Sequence, residues 1–145
     1  MLARSAFGLS PAFVFNYLRY KFSAPRETMR LSRFAPVLCG ILITRRCNLK
    51  CSFCAIPQPV NNVNLMAYEA DVPAIQRILE HPLFRNGLYF ALTGGEPLLN
   101  KHVVDIVRFI RRKGHLVGIS TNGMFLREHL KDLAASGISQ VNVSL

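Results

Sequence analysis

The sequence predicts an α/β fold built of parallel strand–helix units. Three observations carry this expectation. From residue 37 to residue 145, short apolar runs alternate with segments of helical periodicity. The helical segments carry their own start and stop residues. Each apolar run is followed by a polar or glycine-rich motif, at the end of the strand where parallel sheets collect their chemistry. Strand and helix in regular alternation imply right-handed βαβ connections.

Residues 1–36 read as a separate segment, a basic and aromatic N-terminal helix with a linker. They hold six cations against Glu27 alone, half of the net charge of +10. Ser10 and Pro11 open a helical stretch in which Phe15, Leu18 and Phe22 share a face with Phe13, Tyr17 and Tyr20 beside them. Aromatics next to Arg19 and Lys21 suit a helix lying in a membrane interface. They equally suit a helix packing its aromatic face on the protein. Residues 24–36, between Pro25 and Pro36, form a polar linker.

The domain then occupies residues 37–145. "VLCGILIT" (37–44) is a buried strand. "DVPAIQRILEH" (71–81) is a helix capped by Asp71, with Val72, Ile75 and Leu79 on one face and Pro82 ending it. "GLYFALT" (87–93) is the second strand. "NKHVVDIVRFIRRKG" is a helix with Asn100 as cap, a stripe of Val103, Ile106, Val107 and Ile110, cations at its negative end and Gly114 after it. "HLVGIS" (115–120) is the third strand. "LREHLKDLAASG" (126–137) is a helix with Leu126, Leu130 and Leu133 in a row, closed by Gly137. "QVNVSL" (140–145) is the fourth strand.

Half the residues are apolar and 18% are charged, which describes a folded chain. Four cysteines in 145 residues are too few for a disulfide scaffold. Three of them, Cys47, Cys51 and Cys54, lie within eight residues after the first strand, which points to a metal or redox site in a reducing compartment. Thiolates hold zinc or iron–sulfur clusters. Cys39 sits inside a strand and reads as a buried hydrophobe. His81, His102, His115 and His129 read as surface or core residues, so no fourth ligand is evident. Three cysteines on a four-iron cluster leave one iron open to a ligand. Arg45 and Arg46 read as solvent- or phosphate-facing charges.

The other motifs are "TGGEP" (93–97), "STNG" (120–123) and "VSL". Gly94-Gly95 alone is an ordinary turn, Asn122-Gly123 a common turn dipeptide and Ser144 a strand serine. Together, at one sheet edge, they describe a site.

"CNLKCSFC" resembles the C-x3-C-x2-C signature of the radical S-adenosylmethionine (SAM) superfamily, with "TGGEPLL", "STNG" and "VNVSL" in the places of its later motifs. The resemblance covers about residues 37–145. It implies a [4Fe–4S] cluster on Cys47, Cys51 and Cys54, with SAM chelated to the fourth iron. It implies Phe53 near the adenine, and Gly94, Gly95 and Glu96 at the methionine end, with the Glu96 carboxylate accepting from the ammonium. Ser144 matches a serine that contacts SAM, and Thr121 and Asn122 match a segment near the substrate or sugar. The implied activity is reductive cleavage of SAM to a 5′-deoxyadenosyl radical that abstracts hydrogen from a small-molecule or peptide substrate. An electron donor such as flavodoxin or ferredoxin is implied too.

The family core is a partial (βα)6 TIM-like barrel. The chain is expected to be its first part, truncated after about strand 4 and not competent alone, with strand 4 as an open edge. Close approach of the ligand to Gly95 predicts that Gly95→Val weakens SAM binding more than cluster binding. The expected location is the cytoplasm, with peripheral membrane contact through residues 10–22 as one of their two readings. The alternatives are a non-catalytic zinc module with a distant fourth ligand and a basic nucleic-acid-binding module. The latter is disfavoured because no basic helix in residues 37–145 interleaves stacking aromatics.

Overall fold

The computed structural model describes residues 36–54, 56 and 69–144, together with Leu18. The expected helix over 10–22, apart from Leu18, and the linker up to residue 35 lie outside the described residues. The elements are β1 (Leu38–Thr44), α1 (Val72–Glu80), β2 (Tyr89–Gly94), a 3₁₀ turn (Pro97–Leu99), α2 (Val103–Arg112), β3 (Leu116–Thr121), α3 (Leu126–Ser136) and β4 (Gln140–Val143).

The four strands are parallel and lie in the order β1-β2-β3-β4. Every neighbour in space is the next strand in sequence. A doubly wound sheet reverses its order at a switch point, whereas a barrel winds one way. The order here is the barrel's. Leu38 pairs with Tyr89, and the register slips between Leu42 and Thr44, where β1 turns into the cysteine loop. Such irregularities re-aim the chain next to a site.

One face of the sheet meets the helices. Cys39, Ile41, Ile43, Phe90, Leu92, Val117 and Ile119 point into it and are buried. From the helix side come Ile75 and Leu79 of α1, Val103, Ile106, Val107 and Ile110 of α2, and Leu133 of α3. Each fully buried aliphatic side chain contributes about 2 kcal/mol. The other face of β1 is open, with Leu38 65% and Leu42 45% exposed. That one-sided coverage fits strands whose second face lines a barrel interior.

Most of the expected element boundaries hold to within two residues. Asp71 caps α1, its carboxylate accepting from the Ala74 N–H at 2.8 Å. α3 ends at Gly137 in a left-handed conformation. Two expectations need correction. Leu130 is 55% exposed, because α3 turns it away from the α2–α3 contact that buries Leu133. Asn100 caps the turn that leads into α2 and not the helix interior: its Oδ1 accepts from the His102 N–H at 2.8 Å, and its carbonyl from the Val103 N–H at 3.0 Å. The cap position is His102, and Asn100 is a buried cross-link described below.

His115, just before β3, shows the electrostatic cost of this packing. Its Nδ1 lies 2.7 Å from the Gly87 carbonyl, and its ring stands edge-on to Phe90 at 5.1 Å. Burial pulls its pKa below the ordinary value near 6.5, with Lys113 adding to the effect and the Gly87 carbonyl opposing it. The fold therefore holds the ring neutral. The unfolded chain takes up a proton first as pH falls, so this stabilisation is full above about pH 6.5 and is lost below it. Denaturation midpoints should fall between about pH 7 and about pH 5, and more shallowly in His115→Gln. Equal slopes in the two proteins would contradict the assignment.

Candidate functional site

The loop leaving β1 carries the three expected cysteines. Cys47 is half-buried, and Cys51 and Cys54 are exposed; all are free thiols. The Cys54 N–H donates to the Cys51 carbonyl at 3.1 Å, closing a turn. The Leu49 N–H donates to Cys47 Sγ at 3.4 Å. Phe53, between the last two cysteines, is 88% exposed. Cys39 is buried in β1 on the helix-facing side, and burial pushes its thiol pKa up. It is set apart from the loop as a packed side chain.

The loop leaving β2 packs main chain to main chain on the cysteine loop. The Gly95 N–H donates to the Thr44 carbonyl at 2.9 Å, and the Glu96 N–H to the Arg46 carbonyl at 2.6 Å. A Cβ on Gly94, whose φ is +145°, would lie 2.1 Å from the Thr44 oxygen. A Cβ on Gly95 would lie 2.2 Å from the Arg46 oxygen. Sequence reasoning assigns the need for glycine to an approaching ligand. The structure adds a nearer neighbour, the carbonyls of the cysteine loop itself.

Glu96 is fully buried. Its Oε1 accepts from the Leu98 N–H at 3.0 Å and the Thr121 hydroxyl at 2.7 Å, and its Oε2 from the Asn122 N–H at 2.8 Å. Thr121 is 2% exposed, and its hydroxyl also accepts from the Gly123 N–H at 3.0 Å. Asn122 turns its amide toward the cysteine loop, where its Nδ2 donates to Asn48 Oδ1 at 2.8 Å. The Asn48 amide in turn lies 3.0 Å from Met124 Sδ. Ser144 is exposed, and its N–H donates to the Thr121 carbonyl at 2.9 Å. The four strand ends are thus laced together, and all ten residues singled out in the sequence lie in this lattice or on the cysteine loop.

Two features were not legible in the sequence. Arg46 is no free charge. Its guanidinium contacts the Glu69 carboxylate and the Leu99 carbonyl, directly before the first loop cysteine. Asn100 is fully buried, and its Nδ2 donates to the Ile43 carbonyl at 2.8 Å and the Ala70 carbonyl at 2.9 Å. Both tie the root of the cysteine loop to the start of α1. Their partners lie 23 to 57 residues away, beyond any local pattern.

The donor set suits a cluster. A structural zinc site needs four protein donors on one ion, and this loop supplies three cysteines. A four-iron cluster instead takes one thiolate on each of three separate irons. Three free thiols on one short loop, two exposed and one half-buried, can supply this. Among the described residues no helix is long and apolar enough to cross a membrane.

Comparison with known proteins agrees with this geometry. The family model described as the Radical SAM superfamily matches residues 41–145. The GTP 3′,8-cyclase of Rhodopirellula baltica is 36% identical over 110 residues, which are 72% of this chain and 30% of that protein. Molybdenum cofactor biosynthesis protein 1 of Bos taurus is 39% identical over 110 residues, 72% of this chain and 17% of that protein. The chain therefore spans a third or less of these curated relatives. The structure of Streptococcus suis SuiB bound to S-adenosylmethionine superposes with a TM-score of 0.59 at 22% identity, over 77% of this chain and 24% of that one. That likeness supports the partial-barrel α/β fold.

Proposed function

The chain belongs to the radical SAM superfamily, and on that premise we propose that it carries the cofactor-binding part of an enzyme that cleaves SAM reductively. Cys47, Cys51 and Cys54 hold the [4Fe–4S] cluster. Phe53, Gly94, Gly95, Glu96, Thr121, Asn122 and Ser144 form the surrounding SAM and substrate-proximal wall. The observation that carries the reading is the main-chain packing of the cysteine loop on the glycine turn, at 2.9 and 2.6 Å. A loop with three free thiols thus packs beside a turn of two glycines. A one-electron-reduced cluster held by these cysteines would supply reductive cleavage of SAM, giving methionine and a 5′-deoxyadenosyl radical able to take hydrogen from a substrate. The chain's own residues orient the cofactor. Arg46, Glu69 and Asn100 anchor the loop from behind.

The substrate belongs to the small-molecule or peptide class. GTP is named for the cyclases, and SuiB has been solved with its precursor peptide SuiA. The electron comes from a flavodoxin or ferredoxin in the cytoplasm. Residues 10–22 fit either an anionic membrane surface or the protein's own exterior. Vesicle co-sedimentation with and without residues 1–24 separates the two, and a loss of binding on deletion identifies the membrane role.

The test of the activity is anaerobic reconstitution of the full-length protein with iron and sulfide, followed by dithionite and SAM. The expected result is a brown protein that releases 5′-deoxyadenosine and methionine in equal amounts. A colourless, zinc-loaded protein that leaves SAM intact would favour the zinc module instead.

A further inference from the structure

The resemblance assigns the Glu96 carboxylate to the SAM ammonium, but in this fold it already has partners. It is fully buried, and its oxygens are turned to donors of the protein itself. A carboxylate offers about four acceptor positions. Three are taken, by Leu98 in the 3₁₀ turn that follows it and by Thr121 and Asn122 at the end of β3. No cation is paired with it among the described residues, so these three donors are what make a buried charge tolerable. Thr121 is equally committed, giving its proton to Glu96 and taking one from the Gly123 N–H.

The consequence runs further than one turn. Glu96 fixes the Asn122 main chain, and the Asn122 amide reaches Asn48 between the first two loop cysteines. The Glu96 N–H meanwhile holds the Arg46 carbonyl, directly before the first cysteine. One residue therefore touches both ends of the connection between the β3 turn and the cysteine loop. Resting on the proposed SAM site, we propose that Glu96, with Thr121, is a positioning residue. Its buried carboxylate holds the β3 turn and the cysteine loop in register with the glycine turn, and it does not bind the SAM ammonium.

The distinguishing variants are Glu96→Gln, Thr121→Val and Thr121→Ser. The glutamine amide keeps the shape but presents N–H groups to at least one existing donor. Valine removes the Thr121 hydroxyl, which never faces SAM in this reading, and serine keeps it. Hydrogen exchange of the full chain is measured first, without cluster. Glu96→Gln and Thr121→Val should each speed exchange over residues 121–124 and in the cysteine loop by about tenfold, the loss of one charge-assisted hydrogen bond. Thr121→Ser should match the parent. SAM affinity of the reconstituted protein is measured next. It should fall in both variants, and the double variant should lose no more than Glu96→Gln alone, because both changes break one link.

Unchanged exchange in Glu96→Gln would overturn the proposal. So would lost SAM affinity in Glu96→Gln with parental affinity in Thr121→Val and additive losses in the double variant, the signature of a direct ligand. If the parent itself takes up neither cluster nor SAM, the functional reading fails, while the exchange result still decides the role of Glu96.

Discussion

Gly95→Val should strip the protein of its cluster as well as its SAM affinity. The valine Cβ would sit 2.2 Å from the Arg46 oxygen and 2.7 Å from the Arg45 oxygen. Both are main-chain atoms, so no side chain can swing aside. The cysteine loop must move, and the Gly95 and Glu96 N–H bonds to Thr44 and Arg46 open with it. Overpacking of this kind costs about 3 kcal/mol. Sequence reasoning places the obstruction on the ligand and expects SAM binding to suffer more than cluster binding. With the contact on the loop itself, both should fall together. Iron and sulfide content after reconstitution, beside SAM calorimetry, checks this. A variant that loads a full cluster while losing only SAM would restore the ligand-side reading.

Alanine at Cys51 or Cys54 should abolish the cluster, whereas alanine at Cys39 should leave it intact. The loop thiols are exposed and share one turn, and the Cys39 thiol is buried against the helix layer. Truncating Cys39 leaves a small void and should cost about 1 kcal/mol of stability. Visible absorption and iron content report the first outcome, and a denaturation curve the second. Full cluster loading in Cys51→Ala, or its loss in Cys39→Ala alone, would contradict the ligand assignment.

Legibility in the sequence followed the range of each interaction. The Asp71 cap, the α2 stripe and the Gly137 stop depend on neighbours within one or two turns, and periodicity exposes them. The cysteine loop was legible because its three thiols are close in the chain. Asn100 was half legible: its Oδ1 takes the His102 N–H, as its position just ahead of an apolar stripe suggests, but its amide reaches the distant carbonyls of Ile43 and Ala70. Arg46 looked like solvent-facing charge for the same reason, since Glu69 and Leu99 reach it only through the fold. Glu96 and Thr121 were both picked out as site residues, yet their mutual bond, 25 residues apart, carries no local trace. Leu130 shows the reverse error, a leucine at helical spacing that no neighbouring element covers.

On the proposed reading, the cysteine loop and the glycine turn present one iron of a thiolate-held cluster to SAM. Electron paramagnetic resonance of the dithionite-reduced, reconstituted protein tests it most directly, recorded before and after SAM is added. The expected result is the signal of a reduced [4Fe–4S] cluster that changes shape on addition of SAM, and no cluster signal in Gly95→Val. A cluster signal that SAM leaves untouched, or a protein that assembles no cluster with all three loop cysteines present, would contradict it.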